Sequence, residues 1–247
     1  MDNAIYVGLS RQMLLQRELD IVANNLANVD TAGFKFESLL AQDDQVATPA
    51  PGGGAPTPVD FVASAGVARD YTQGPLTQTG SPLDVAIDGK GFFTVSTSAG
   101  PRYTRDGRFK LDPTGKLVTQ DGDAVQGDGG DIVLDPKKGP VTISGAGEIS
   151  QSGQIVGKLT VVTFDSLAAL SKDGNNLYRN DSNLTAQPST SAQLQQGMLE
   201  GSNVQPVSQI TRLIEINRAY DAIASMMNST GQLATTAVQR LGAVSPV

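Results

Sequence analysis

The sequence predicts an α+β protein, with long N- and C-terminal helices packed as a coiled-coil-like layer and a central antiparallel β-rich domain. Near both ends of the chain, apolar residues recur at alternating steps of three and four, which is typical of helices packed lengthwise. Between the ends the period changes to two and turn residues become frequent, as in antiparallel strands. A length of 247 residues allows one or two domains with a substantial core.

The C-terminal helix is predicted from Val207 to Leu241 by an unbroken heptad seam. The seam consists of Ile210, Leu213, Asn217, Tyr220, Ala224, Met227, Gly231, Ala234, Val238 and Leu241. A second stripe makes the helix apolar on more than one side: Ile214, Ile216 and Ile223, with Met226 and Leu233. Such a helix needs several neighbours. An Asn on a seam favours one register, and small residues allow backbones to approach closely. We therefore expect this helix to have partners outside its own chain.

The N-terminal helix is predicted from about Asn3 to Ala27. Its apolar row steps by four, three and four through Leu15, Leu19, Val22 and Leu26. The simplest packing places this helix against the C-terminal one, with apolar surface left over for neighbours. The row and the seam together form the predicted assembly interface. The alternative interpretation is an ordinary helical pair within one chain.

The chain divides into three predicted regions. Residues 1–36 and 200–247 form a terminal helical assembly domain, residues 37–79 an extended linker or loop, and residues 80–199 a β-rich domain. Inside the linker, residues 43–60 are rich in Pro and Gly, a composition typical of flexible connections.

The β-rich domain is predicted from short alternating runs, such as Leu83, Val85 and Ile87, bounded by turn signals. The turn signals include Asp88-Gly89, Asp106-Gly107, Asp121-Gly122 and Ser152-Gly153. Many short strands joined by tight turns are typical of an antiparallel barrel or sandwich. After this domain, Ser202 or Asn203 is expected to cap the C-terminal helix, with Pro206 in its first turn.

The composition excludes several classes of function. The chain has no Cys, His or Trp, which excludes disulfide frameworks, thiolate or imidazole metal sites and His-dependent nucleophiles. Its net charge of −7 argues against binding to nucleic acid or to an anionic membrane surface. There is no apolar run long enough to span a bilayer, and the first residues lack the pattern of a cleavable secretory signal.

Two groups of carboxylates resemble chemical sites but are assigned to turns and strands. The first group contains Asp121, Asp123, Asp128 and Asp131. Ile132 stands where the EF-hand pattern requires Glu, so calcium is not predicted. Asp84 and Asp88 would lie about 13 Å apart along a strand, too far for a glycosidase pair. We therefore predict no catalytic residue, no metal, no cofactor and no enzymatic activity.

Four blocks of sequence resemble the bacterial flagellar basal-body rod and hook proteins. These blocks are residues 23–36, 81–93, 103–109 and 199–204, and Arg218-Ala219-Tyr220 in the closing helix matches as well. The blocks lie at both ends and in the middle, so the resemblance covers nearly the whole chain. The length and residues 1–6 are most similar to the proximal-rod branch, with the distal-rod branch as the near alternative.

The resemblance implies a structural subunit of the flagellar rod, the shaft that transmits torque to the hook. It implies partners among other rod proteins and copies of the chain itself, and contact with the flagellar type III export apparatus during assembly. It also implies a place in the periplasmic section of the basal body, without nucleic acid and without membrane insertion. The alternative from another class is a secreted β-rich binding module with a helical stalk, which predicts a ligand pocket within residues 80–165.

Overall fold

The computed structural model describes residues 2–48, 57–182 and 184–242, without the side chains of residues 2–5, 41–48, 57–65, 234, 238 and 240–242. The chain forms two compact units. The helical unit comprises Met1–Ala27, Glu37–Ala68 and Gln205–Val247, and the β unit comprises Asn28–Phe36 and Arg69–Val204. The predicted α+β class is confirmed, because the helices lie at the two ends of the chain and a β-rich body lies between them.

The helical unit contains both long helices, close to their predicted bounds. Helix α1 spans Asp2–Ala27 and helix α2 spans Pro206–Gly242. The helices are antiparallel, as three contacts show: Gly8 with Met227, Glu18 with Arg212, and Asn25 with Gln209. With 26 residues α1 is about 39 Å long, and with 37 residues α2 is about 56 Å long.

The two helices bury a shared apolar core. Leu15 and Val22 of α1 are buried with Ile216 of α2. Partly buried neighbours are Leu19, Leu213, Ala219, Tyr220 and Ile223. On α2 the face that meets α1 therefore runs through positions 213, 216, 220 and 223, again at steps of three and four. This face takes residues from both of the apolar stripes seen in the sequence.

Two long strands follow in a region where the sequence predicted a linker. Strand β1 spans Glu37–Thr48, strand β2 spans Thr57–Arg69, and the two form a two-stranded sheet. Residues 49–56 of the Pro/Gly-rich run lie outside the described residues. The structure differs from the expected loop because the two strands pair with each other. Pairing satisfies the backbone N–H and C=O groups of both strands, even where the side chains have a low propensity for strands.

The β unit contains strands β3 to β19. Their bounds are Leu76–Gln78, Val85–Asp88, Phe92–Thr97, Gly100–Thr104, Lys110–Leu111, Leu117–Val118, Ala124–Gly127, Gly130–Asp131, Val141–Ile143, Glu148–Gln151, Gln154–Lys158, Val161–Thr163, Leu170–Lys172, Leu177–Asn180, Gln187–Pro188, Gln193–Gln196 and Met198–Glu200. A 3-10 helix occupies Leu167–Ala169.

Ten of these strands form one sheet. Its main order is β15-β16-β6-β5-β9-β8-β7; β10 pairs with β9, and β14 pairs with both β5 and β17. Strands β11, β12 and β13 form a three-stranded sheet, while β18 pairs with β4 and β19 with β3. Each pairing in the β unit is antiparallel, which confirms the predicted antiparallel body.

Strand β5 lies between two apolar clusters. Phe93 and Val95 belong to the larger cluster, and Phe92 belongs to the smaller one with Tyr178. Successive strand residues point to opposite faces, so β5 is covered on both sides. Phe93 and Val95 are buried on one face of β5, and Phe92 is buried on the other.

The turn predicted at Ser152-Gly153 connects β12 to β13. Ser152 has φ 53° and Gly153 has φ 79°. A two-residue hairpin loop with positive φ at both positions matches the right-handed twist of the strands it joins.

Candidate assembly surface

A buried ionic network joins distant parts of the β unit. The Glu200 carboxylate accepts hydrogen bonds from Lys35 Nζ at 2.5 Å, from an Arg105 guanidinium nitrogen at 3.0 Å and from the Gly74 N–H at 3.0 Å. Lys35 Nζ also donates to the Thr72 carbonyl at 2.7 Å. The side chains of Lys35 and Glu200 are 0% exposed, and that of Arg105 is 4% exposed.

The network holds two cations and one anion. Burial lowers the pKa of Lys35 and of Arg105 below their ordinary values, and the Glu200 carboxylate opposes both shifts. The Arg105 guanidinium lies 5.4 Å from the centre of the Phe92 ring and donates to the Gly89 carbonyl at 2.8 Å. Because desolvation offsets much of the attraction in a buried ion pair, such a network serves mainly to fix the positions of its chain segments.

Gly33 approaches the same network through its backbone. Its N–H donates to the Glu200 carbonyl at 2.7 Å. It has φ +69°, and a Cβ there would meet the Arg105 backbone at 2.5 Å. A side chain is therefore excluded both by the backbone conformation and by the lack of space.

The residues predicted to cap α2 have other contacts. The Asn203 side chain accepts from the Phe36 N–H at 2.7 Å and donates to the Asp70 carbonyl at 2.9 Å. Ser202 Oγ accepts from the Val204 N–H at 3.2 Å. The capping prediction is therefore wrong for both Ser202 and Asn203, because their side chains fix loops that precede the helix. Pro206 is the first residue of α2, as predicted.

Within the helical unit, Asn25 connects three elements. Its Nδ2 donates to the Glu37 carbonyl at 2.7 Å and to Gln209 Oε1 at 3.3 Å, and its Oδ1 accepts from the Glu37 N–H at 3.0 Å. Asn25 and Gln209 are both buried. One amide therefore holds the last turns of α1, the start of β1 and the first turn of α2 together.

Replacing Asn25 by alanine is expected to lower the free energy of unfolding of the helical unit by about 1–3 kcal/mol. The change removes the side chain that hydrogen-bonds to both the N–H and the carbonyl of the buried Glu37. Urea unfolding followed by far-UV circular dichroism measures this loss. Gln16→Ala, which removes an exposed amide from the same helix, is the matched control. Equal midpoints for the two variants would contradict the role given to Asn25.

The predicted interface residues divide into three groups by burial. Leu15 and Val22 are buried, and Leu19 and Leu26 are partly buried. On α2, the partly buried members are Leu213, Tyr220, Ala224, Met227 and Gly231, and the exposed members are Ile210 and Asn217. The side chains of Ala234, Val238 and Leu241 lie outside the described residues. Leu15, Leu19, Val22, Leu213 and Tyr220 meet in the core between the two helices.

Other apolar side chains on the same helices face solvent. We call them the outer apolar set: Tyr6, Leu9 and Met13 on α1, and Val207, Ile210, Ile214, Met226 and Leu233 on α2. The most exposed are Val207 at 77% and Leu233 at 68%. Large apolar side chains exposed along both members of a helix pair make these faces the candidate surface for contacts with other proteins.

Family models match three parts of the chain. The one described as "Flagella basal body rod protein" matches residues 5–35, "Flagellar hook protein FlgE/F/G D1 domain" matches 86–151, and "Flagellar basal body rod FlgEFG protein C-terminal" matches 195–240. The flagellar basal-body rod protein FlgF of Caulobacter vibrioides is 55% identical over 246 residues, covering 99% of this chain and 100% of that protein. The chain belongs to the flagellar basal-body rod protein family.

Within this family the chain is of the FlgF type. FlgF of Mesorhizobium japonicum is 35% identical over 99% of this chain and 100% of its own length. The rod protein FlgG of Bacillus subtilis is 32% identical over 93% of this chain and 96% of its own length. The distal-rod alternative is therefore less supported than the FlgF type. This rod-family chain is a structural subunit, and the similar proteins carry the names of rod components.

In this rod-family chain, the matched segments at the two ends supply one cation and the anion of the ionic network, and both amides of the Asn25 junction. Lys35 and Asn25 lie in the N-terminal match, and Glu200 and Gln209 in the C-terminal one. Sequence reasoning missed the roles of Lys35, Arg105 and Glu200. For Lys35 and Glu200 the available signal was a charged residue flanked by apolar residues or Gly. Arg105 lies between Thr104 and Asp106 and has no such signal.

Three of the carboxylates considered in the sequence accept hydrogen bonds from neutral or basic side chains of the rod-family chain. Asp84 accepts from the Thr79 hydroxyl, Asp88 from the Gln195 amide, and Asp131 from Lys116. Among the described residues there is no group of three His, Cys, Asp or Glu side chains placed to hold a metal ion. Neither of the two described helices has the length and apolar character needed to cross a bilayer.

Proposed function

We propose that the chain is a subunit of the proximal rod, in which α1 and α2 pack lengthwise against copies of the chain and against homologous axial proteins. The observation that carries this proposal is the outer apolar set. The two helices already bury one face against each other, and the apolar side chains of the outer set remain on their other faces. A helix pair with apolar residues on several sides is suited to a coiled-coil-like layer built from many chains.

The proposal gives different roles to the predicted interface residues. Leu15, Val22 and Leu213 hold the pair within one chain, and Ile210 contacts a neighbouring chain together with the rest of the outer set. Fully burying a large apolar side chain contributes about 1.5–3 kcal/mol. Each side chain of the outer set is already partly covered, so it contributes less than this on assembly. Several such contacts with several neighbours are needed to hold one subunit in place.

A shaft made in this way resists twisting. Contacts between unlike surfaces form a closed ring only when the rotation from one subunit to the next divides a full turn evenly. Otherwise they generate a helical filament. In such a filament each helix is held on several sides, so torque passes through many side-by-side contacts. This arrangement supports the proposed torque-transmitting role in the periplasmic section of the basal body.

The proposal includes delivery through the flagellar type III export apparatus as an unfolded chain. The absence of Cys supports it, because no disulfide has to form or break before or after passage. It also includes a restraint on early assembly, in which the outer set binds neighbours productively only at the growing end of the rod.

Placing aspartate at Ile214 or at Met226 is expected to abolish swimming without changing the isolated chain. Both side chains are about half exposed, so the free chain tolerates the charge, whereas a buried interface does not. Motility in soft agar, measured in cells that depend on the variant, gives the result, and far-UV circular dichroism checks the purified chain.

Ser225→Asp is the control for these two variants. It adds the same charge beside Met226, at an exposed polar position. We expect it to retain swimming, because it removes no apolar surface. Normal swimming of both Ile214→Asp and Met226→Asp cells would show that the outer set does not hold the rod together.

A further inference from the structure

A pocket of about 760 Å³ lies within the β unit. Its walls include the aromatic rings of Tyr71, Phe92 and Phe164 and the hydroxyl-bearing segment 189–191. Strand β17 forms another part of the wall, and among the described strands it pairs with β14 alone. The volume is in the range of sites that bind small molecules, and an edge strand is a common docking place for extended segments. The helix packing proposed above makes no use of this pocket.

The pocket is positively charged in an acidic protein. Arg69, Lys90 and Arg105 line it, and Asp70 is the acidic residue in its wall. The whole chain carries a net charge of −7. A cationic concavity on such a protein attracts negatively charged groups and repels positively charged ones.

Arg105, one of the residues that line this pocket, carries an unsatisfied donor. Two of its guanidinium nitrogens donate to Glu200 and to the Gly89 carbonyl. Its Nε is buried and has no hydrogen-bond partner among the described residues. A buried donor on a cation without an acceptor is costly, and a carboxylate oxygen is the acceptor that satisfies it best.

The long strands of the helical unit contain a segment that complements this charge. Residues 37–68, which include most of β1 and β2, contain Glu37, Asp43, Asp44 and Asp60 but no Lys or Arg. Asp43-Asp44 is the one place in the whole sequence where two acidic residues are adjacent. The backbone of β1 is extended there, which is the form in which a segment lies along an edge strand.

We propose that the pocket receives the acidic strand β1 of a second copy of the chain, whose Asp43-Asp44 pair supplies carboxylates to Lys90 and Arg105. The inference rests on the proposed function, since packing in a rod brings copies side by side at high local concentration. It adds a second, electrostatic contact between copies to the apolar contacts of the helices. Strand β1 of one copy and the pocket of the next would then be complementary surfaces of a contact that does not close on itself.

A synthetic peptide of residues 37–48 provides a direct test with the full-length chain. Titration followed by NMR is expected to give saturable shifts at the backbone amides of Lys90, Phe92 and Thr190. A peptide carrying Asp43→Asn and Asp44→Asn is expected to bind about threefold to tenfold more weakly, and added salt is expected to weaken binding of the original peptide.

The chain variant Lys90→Glu is expected to weaken binding of the original peptide by a similar factor. Lys90 is exposed, so its replacement preserves the fold. Lys137→Glu changes an exposed lysine that is not in the pocket wall and is expected to leave the affinity unchanged. Equal affinity for the acidic and the amide peptide, or shifts confined to residues outside the pocket, would overturn the proposal.

Two further variants separate the remaining possibilities. If the chain carrying Asp43→Asn and Asp44→Asn binds the peptide more tightly than the unmodified chain, its own strand fills the pocket and the assignment to a second copy is wrong. The Ile214→Asp chain is expected to bind the peptide as the unmodified chain does. A failure of helix packing would therefore leave this titration unchanged, and a failed titration would leave the motility result unchanged.

Discussion

Replacing Glu200 by alanine is expected to lower the free energy of unfolding of the β unit by about 3–5 kcal/mol. The change leaves Lys35 and Arg105 buried side by side without the carboxylate that pairs with both. It also removes the acceptor of the Gly74 N–H. Because one anion holds several separate segments of the chain, its loss affects all of them at once. Near-UV circular dichroism of the tyrosines during urea unfolding measures the change.

Two variants serve as references for Glu200→Ala. Glu200→Gln keeps the shape and an acceptor oxygen but not the charge, so its midpoint is expected to lie between those of the wild type and the alanine variant. Asp131→Ala removes one partner of the exposed pair with Lys116 and is expected to leave the midpoint nearly unchanged. If Glu200→Ala unfolds at the same urea concentration as Asp131→Ala, the network does not hold the β unit together.

Replacing Ile216 by alanine is expected to destabilise the helical unit by about 2–5 kcal/mol. Ile216 is 1% exposed and packs with Leu15 and Val22 at the centre of the helix pair. Truncating its side chain removes apolar contact and leaves a cavity that neighbouring helical backbone fills poorly. Thermal unfolding followed by the helical far-UV signal reports the loss.

The matched control is two residues away on the same helix. Ile214 has the same side chain but is 46% exposed, so Ile214→Ala is expected to have a much smaller effect on the isolated chain. The pair of variants therefore separates the face that holds one chain together from the face proposed to meet other chains. Equal destabilisation by the two changes would contradict this division.

The bounds of the helices could be predicted from the sequence almost to the residue, because the apolar pattern begins and ends close to the ends of each helix. The sequence did not show which of the apolar stripes on α2 faces α1. Ile216, in the second stripe, and Leu213, in the seam, both meet α1, whereas Ile210 of the seam is exposed. A helix that is apolar on several sides carries no local signal for this choice, since the choice depends on the partner.

The ionic network could not be predicted because its members are far apart in the sequence. Lys35 and Glu200 are separated by 165 positions, and each is of a residue type that usually lies at the surface. The strands within residues 37–79 could not be predicted from the sequence either, and this region was predicted to be a linker or loop. In β1 only Val46 and Thr48 are β-branched and no residue is aromatic, so this strand is recognised through its pairing with β2.

The two helices differ in length, so the two ends of the helix pair differ in structure. Helix α2 has 37 residues against 26 in α1, and α2 begins beside the end of α1, at the contact of Asn25 with Gln209. The far end of α2 therefore projects about 15 Å beyond its partner. If such chains are stacked in rows, the projecting end of α2 of each chain has to enter the space that the shorter helix leaves in the next row. Subunits stacked in this way fit together in one orientation only. The two ends of the assembly therefore differ, and this polarity follows from the structure of each subunit.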